Sequence, residues 1–326
     1  MNYYKLLFKS SIHLGERENF LESTDIVIHS DTLFSAFCNC YLLLYGESEL
    51  NNLLDRFLKG EPPFIISSAF PWWEDKFYFP VPLNQIPKEK KFKKIKFVEK
   101  DAWGKLLSGE KLENLNNFKS IPDITTDDEN KKTPYKIITT PRVALSRLNN
   151  HPGENFFHFG EVFYKENSGL FFLVDFKDET IKKEFEATLR VMSDEGIGGD
   201  RTVGKGFFEI KETGTMEFNI EIETGETKLG ENKRTYITLS LYYPKEDEII
   251  KFENSFYEII ERKGYIFSPY CKSLRRKSVR MFAEGSVLFT NSEMKGTLAN
   301  VTPEIFDKHT VYRYGFCFAL PCKLEV

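Results

Sequence analysis

The residues best suited to chemistry in this chain lie in Gly196-Ile-Gly-Gly-Asp-Arg-Thr-Val-Gly-Lys-Gly-Phe-Phe208. Five glycines, at 196, 198, 199, 204 and 206, allow positive φ and close approach to another backbone. Arg201, Thr202 and Lys205 stand among them as donors, with Val203 between. The combination fits a nest of backbone N–H groups and cations that holds phosphate; a glycine-rich surface turn with no ligand is the alternative. Three better-known motifs fit the same residues poorly. Gly199-x4-Gly204-Lys205 has Gly206 where a P-loop needs Ser or Thr for magnesium, and it leads into a strand instead of a helix. Gly198-Gly-Asp200 is followed by Arg201, so the second acid of a divalent-metal hairpin is missing. A dinucleotide fingerprint fails because Arg201 occupies the place of its third glycine.

A second cationic feature is Lys272-Ser-Leu-Arg-Arg-Lys-Ser-Val-Arg280, five cations in nine residues with no acid. Lys272, Arg275, Arg276 and Arg280 are candidates for a phosphate track; an ordinary solvated loop is the alternative. The histidines, at 13, 29, 151, 158 and 309, show no metal-site spacing, so neither a metal nor a cofactor is expected. His13 and His29 flank the first strand and first helix, where a ribonuclease places a general base. Neither has an evident partner, and no Ser/His/Asp set or carboxylate pair stands out, so no catalytic residue is assigned.

These residues need elements to position them. Residues 3–10 alternate like a strand. Ser30 caps a helix with Leu33, Phe37, Tyr41 and Leu44 on its apolar stripe, closed by Gly46. Residues 84–135, with a lysine run at 88–100 and an acidic stretch at 123–129, read as an insertion that buries little and stays partly mobile. Residues 136–176 form hairpins around a dense turn from Arg147 to Glu154. Asp178 caps a helix on Ile181, Phe185, Leu189 and Met192 that Gly196 ends, and Phe207-Phe-Glu-Ile210 follows as a strand. The glycine loop thus joins helix to strand.

The expected fold class is α+β. Residues 1–215 give the βαββαβ order of a ferredoxin-like (RRM-like) domain with insertions. Residues 216–326 give a weaker second copy, with a strand at Tyr236–Leu241 and a helix at 247–262 on Ile250, Phe256, Ile259 and Ile260. No sequence-level repeat is visible, so this duplication rests on element order alone. A length of 326 residues suits two domains. A net charge of −4 excludes a general polyanion binder, so any nucleic-acid surface must be a local patch. The polar, alternating N-terminus is no signal peptide, and no apolar run reaches membrane-spanning length. Five cysteines without CxxC spacing fit a reduced, cytoplasmic chain.

Four stretches together resemble a known family: His29-Ser-Asp-Thr-Leu-Phe-Ser-Ala36, Pro141-Arg-Val-Ala-Leu-Ser-Arg147, the loop 196–208, and Met281-Phe-Ala-Glu-Gly-Ser286. They are similar to the fourth subunits of type III-A CRISPR Csm effector complexes, in the repeat-associated mysterious protein (RAMP) superfamily. The resemblance touches both ends and the middle of the chain and leaves out 84–135. It implies tandem ferredoxin-like folding and a non-catalytic subunit that grips the repeat-derived 5′ handle of the CRISPR RNA. Its implied protein partners are the large polymerase/cyclase subunit and the repeated RAMP backbone subunit. A protruding β-hairpin thumb, placed at about 141–165 with Arg147, Leu148, Asn149, Asn150 and His151 at its turn, would press on the guide–target duplex. His13, Gly15, His29, Ser30 and Asp31 would face the handle. Gly198, Gly199, Arg201, Thr202, Val203, Gly204, Lys205 and Gly206 would lie beside them. The alternative is a RAMP endoribonuclease that cuts precursor CRISPR RNA with His13 or His29. A whole domain after the glycine loop counts against it.

Overall fold

Tyr4, Lys5 and Leu6 are all buried at the middle of β1 (Asn2–Phe8), an interior strand whose Tyr4 packs on Phe172 and Phe185 and whose Lys5 lies over the Trp72 and Phe77 rings. The computed structural model describes residues 1–15, 21–143, 145, 156–218, 234–271 and 273–323. α1 (Ser30–Leu58) follows, with Leu33, Phe37 and Tyr41 in the core and Leu44 exposed. Gly46, at φ +82°, breaks the helical path as the sequence suggests, but the chain then resumes the helix. His29, not Ser30, occupies the position before the first helical residue.

Next come β2 (Phe64–Ile66), β3 (Phe70–Trp73) and β4 (Lys76–Pro80), then α2 (Lys90–Lys93), β5 (Phe97–Glu99), α3 (Lys100–Leu107) and β6 (Ser120–Ile121). After β7 (Tyr135–Val143) and β8 (Phe156–Tyr164) the chain forms β9 (Ser168–Phe176), α4 (Lys182–Glu195) and β10 (Phe208–Thr215). One antiparallel sheet takes the order β10-β1-β9-β3-β4-β5-β6, with β2 also on β9. α1 and α4 pack together, their Phe37 and Phe185 rings stacked at 4.9 Å. Asp178 accepts from the Thr180 amide at 3.0 Å just ahead of α4, as expected of a cap.

Two expectations are corrected here. Residues 84–135 bury a real core. Trp103 is fully enclosed, stacks on Phe79 at 4.6 Å and donates to the Pro80 carbonyl at 2.8 Å, while Ile121 and Leu106 lie beneath. The lysines there are solvated, but the apolar residues between them face inward and extend the sheet by β5 and β6. The β7–β8 hairpin starts at 135 instead of 141, its register running from Tyr135 opposite Tyr164 to Val143 opposite Phe156. The expected turn residues Arg147, Leu148, Asn149, Asn150 and His151 lie outside the described residues.

The second half contains β11 (Arg234–Thr238), β12 (Ile259–Arg262), β13 (Val279–Phe282), β14 (Val287–Thr290), β15 (Leu298–Asn300), β16 (Tyr312–Tyr314) and β17 (Ala319–Pro321). They pair as β14-β11-β17, β12-β13 and β15-β16. The helix expected at 247–262 does not form. Ile250, Phe256 and Ile259 instead lie opposite Thr290, Val287 and Phe282, with one 3₁₀ turn at Phe252–Asn254. Extended pairing along β14 and β13 satisfies this backbone, and its β-branched residues suit it. Ile237, Leu239, Tyr314 and Phe316 join the core that β1 and α1 build, so the two halves share one interior.

Candidate nucleic-acid interface

The chain leaves α4 at Gly196 and lays its glycine loop against residues 11–13, which follow β1. Gly199 donates to the His13 carbonyl at 2.8 Å, Gly206 to Ser11 at 2.9 Å, and Ile197 to Gly206 at 3.0 Å. Glycine is required at two points. Gly198 sits at φ +95° with a Cβ position 2.5 Å from the His13 oxygen; Gly206 sits at φ +76° with one 2.0 Å from the Ile197 oxygen. The amides of Val203, Gly204 and Lys205 donate to Asp200 and Arg201 carbonyls. These amides are engaged within the protein, so the glycines serve close backbone packing more than the open nest of donors expected from the sequence.

Lys205 is likewise turned inward. Its ammonium lies 2.7 Å from the buried Glu161 carboxylate and donates to Ser11 Oγ at 2.8 Å. Burial opposes the Glu161 charge, yet Lys205 and Ser11 hold its pKa below the usual value. Arg142 reaches from β7 to Asp200 and covers the Phe159 ring at 3.9 Å. Phe159 in turn packs on the His13 ring at 4.3 Å. His13 Nδ1 donates to the Gly160 carbonyl at 2.7 Å.

Between this loop and the second half runs a groove of about 470 Å3. His13, Gly15, Gly198, Gly199 and Arg201 line one side; Arg262, Tyr265, Phe267 and Arg276 line the other. Asp31, in the first turn of α1, forms part of its floor with no side-chain exposure. Arg262 donates to it through Nε and Nη2, both at 3.0 Å, and Arg313 of β16 donates through Nη1. Burial works against the charge, but the two guanidinium groups hold the Asp31 carboxyl far below the usual carboxylate range. His29 is clasped between Glu284, 2.8 Å from Nδ1, and Asp25, 3.1 Å from Nε2. Burial and Arg262 oppose its protonation; the two carboxylates overcome them and push its pKa up to about 10.

The expected RNA-facing residues thus divide. His13, Gly15, Gly198, Gly199, Arg201 and Arg276 meet in the groove, whereas His29 and Asp31 border it already engaged. Ser30 is fully buried. Its N–H donates to Ser68 Oγ at 2.8 Å and its Oγ accepts from Leu241 at 3.0 Å, so it fastens the halves together. Thr202, Val203 and Gly204 are exposed on the loop. Arg275 is exposed with its guanidinium 5.7 Å over Tyr265, and Arg280 lies on β13 opposite Glu261. Lys272 lies outside the described residues. Arg262, Arg313, Tyr265 and Phe267 were missed from the sequence. Only the alternation Tyr265-Ile266-Phe267 carried a usable signal.

Charge around the groove favours an anion. Among the described residues at the groove, Arg201, Arg262, Arg276, Arg313 and protonated His29 stand against Asp25, Asp31 and Glu284. Arg276 forms no ion pair with a described residue, and its Nε is buried without a hydrogen-bond partner. Among the described residues no group of three metal-ligating side chains occurs, and no helix is long and apolar enough to cross a membrane.

Residues 5–209 match the RAMP superfamily, and the chain belongs to that superfamily. Residues 231–322 match the CRISPR Csm4 C-terminal domain. Two curated relatives, both described as CRISPR system Cms protein Csm4, agree over nearly the full length. The Methanocaldococcus jannaschii protein is 25% identical, covering 96% of this chain and 94% of its own. That of Thermococcus onnurineus is 28% identical, covering 90% and 91%. Within the superfamily the chain falls in the Csm4 family. Its fold resembles the crystal structure of a Csm3–Csm4 subcomplex in the type III-A CRISPR-Cas interference complex, at TM-score 0.66, 22% identity, and coverage of 99% and 100%. It also resembles a Csm1–Csm4 cassette in complex with pppApA, at TM-score 0.61, 23% identity, and coverage of 99% and 98%.

Proposed function

We propose that this chain is the non-catalytic, handle-binding subunit of a type III-A CRISPR RNA-guided interference complex. The groove between the glycine loop and the second half holds the repeat-derived 5′ handle of the CRISPR RNA. The observation that carries this reading is the cation excess in a groove walled by close-packed glycines. Such a site suits a splayed single strand read by its backbone and base edges. The net acidity of the chain is acceptable in an assembly where neighbours share the electrostatic work. The relatives solved with Csm1 and with Csm3 support docking to a large polymerase/cyclase subunit on one side and a repeated RAMP backbone subunit on the other. The β7–β8 hairpin is read as the thumb against the guide–target duplex.

We read residues 1–215 as a ferredoxin-like unit, since β10-β1-β9-β2 with α1 and α4 follows the βαββαβ order. Residues 216–326 form a divergent second unit without an α-helix among the described residues.

His29 cannot act as a general base while both ring nitrogens donate to carboxylates. His13 lines the groove, which favours the endoribonuclease as the second reading. Metal-free cleavage of repeat RNA by the full chain, lost in His13→Ala, would establish that enzyme and overturn the present proposal.

Salt dependence tests the groove directly. Arg201→Gln should reduce the slope of log affinity against log salt for handle RNA by about 0.7, one single-strand phosphate contact. Lys205→Met should leave the slope unchanged and lower stability, because its charge serves Glu161. An unchanged slope in Arg201→Gln, or a reduced one in Lys205→Met, contradicts these assignments.

A further inference from the structure

The second-half wall of the groove is a small hairpin with more to offer than cations. Ile266 donates to the Leu274 carbonyl at 2.8 Å and Arg276 to Gly264 at 2.9 Å, while Tyr265 lies opposite Arg275 and Ser268 opposite Cys271. Side chains alternate along it as in any extended segment. Ile266 is buried against Val301, Phe306 and Val311, which anchors the hairpin. Tyr265 and Phe267 therefore point the other way, 49% and 53% exposed, and line the groove. Arg201 crosses from the glycine loop to lie 4.6 Å over Phe267, so a guanidinium plane joins the two rings. Arg276 lies in the same wall, where burial and nearby Arg313 lower its pKa to about 10. Its Nε is buried and has no hydrogen-bond partner among the described residues.

We propose that the hairpin built by residues 264–268 and 273–276 is a nucleotide-stacking subsite, in which one unpaired RNA base stacks on Tyr265 and Phe267 and its phosphate bonds Arg276. This rests on the reading that the groove holds RNA, and it assigns base contact to a segment credited above with phosphate contact only. An unpaired base fits because its flat faces are free, whereas a duplex hides them in its own stack. Aromatic rings flanked by arginine are the general solution for holding single strands, and the preference they confer is for stacking strength over hydrogen-bond pattern.

The test uses the full chain and short single-stranded RNAs of the handle sequence, each with 2-aminopurine at a different position. Stacking quenches 2-aminopurine fluorescence, so the wild type should show strong quenching confined to one position. Tyr265→Ala/Phe267→Ala should abolish that quenching and weaken binding about tenfold, in line with the loss of base–aromatic stacking. Both rings are exposed, so this variant should keep the wild-type unfolding midpoint. Tyr265→Phe/Phe267→Tyr, which keeps two rings, should retain the quenching. Arg276→Gln should keep it too while reducing the salt slope by about 0.7. Wild-type quenching and affinity in the alanine variant overturn the subsite but leave the RNA groove standing. Failure of the wild type to bind the RNAs overturns both. Intact RNA binding with lost binding of a neighbouring subunit makes the hairpin a protein contact and overturns the subsite as well.

Discussion

Asp31→Asn should destabilise the chain by about 3–5 kcal/mol, the cost of leaving enclosed charges without their partner. Asn keeps the size of the side chain but not its charge. Arg262 and Arg313, with 13% and 3% side-chain exposure, would then face each other uncompensated. Denaturant unfolding measures this. A loss below about 1 kcal/mol would mean that the arginines find water or relax apart, as surface pairs do. Adding Arg313→Met to Asp31→Asn should recover part of the loss, since it removes one orphaned charge. The pH dependence has two limbs. Asp31 has a depressed folded pKa, so its contribution is present above the unfolded value of about 3.9 and is lost as pH falls through the folded one. His29 has a raised folded pKa. Its contribution is complete below about pH 6.5 and disappears as pH rises through about 10. The part of the alkaline limb that His29 supplies should therefore be absent in His29→Gln.

Gly206→Val should cost about 3–4 kcal/mol and abolish handle binding. A β-branched residue at φ +76° bears a left-handed penalty of about 1–2 kcal/mol. Its Cβ also meets the Ile197 oxygen, so the bonds from Gly206 to Ser11 and from Ile197 to Gly206 break at about 1 kcal/mol each. With the loop lifted from residues 11–13, Gly198, Gly199 and Arg201 leave the groove. Unfolding midpoints and RNA titrations check the two effects separately. Wild-type RNA affinity in this variant would show that the loop's seat on residues 11–13 is irrelevant to binding.

How much of this was legible beforehand depends on sequence distance. Asp178, the stripe on α4, Gly196 and β10 are local signals, and the helix–loop–strand order around the glycines follows from them. The floor of the groove is different. Asp31 meets Arg262 and Arg313 across 231 and 282 residues, and no periodicity announces such a pair. Lys205 and Arg201 look equivalent as letters four apart, yet Glu161 claims one and leaves the other over Phe267. Composition misled at 84–135, where abundant lysine concealed Trp103, Leu106 and Ile121. Apolar spacing misled at 247–262, because Ile250, Phe256 and Ile259 fit a helix face as readily as a strand that pairs with β13 and β14.

The most direct test of the account is photocrosslinking in the assembled complex, with 4-thiouridine placed through the handle of the CRISPR RNA. Crosslinked peptides from this chain should come from residues 11–15, 25–39, 197–206 and 262–276, segments that line the groove. Handle crosslinks confined to other subunits, or to surfaces of this chain remote from those segments, would contradict it.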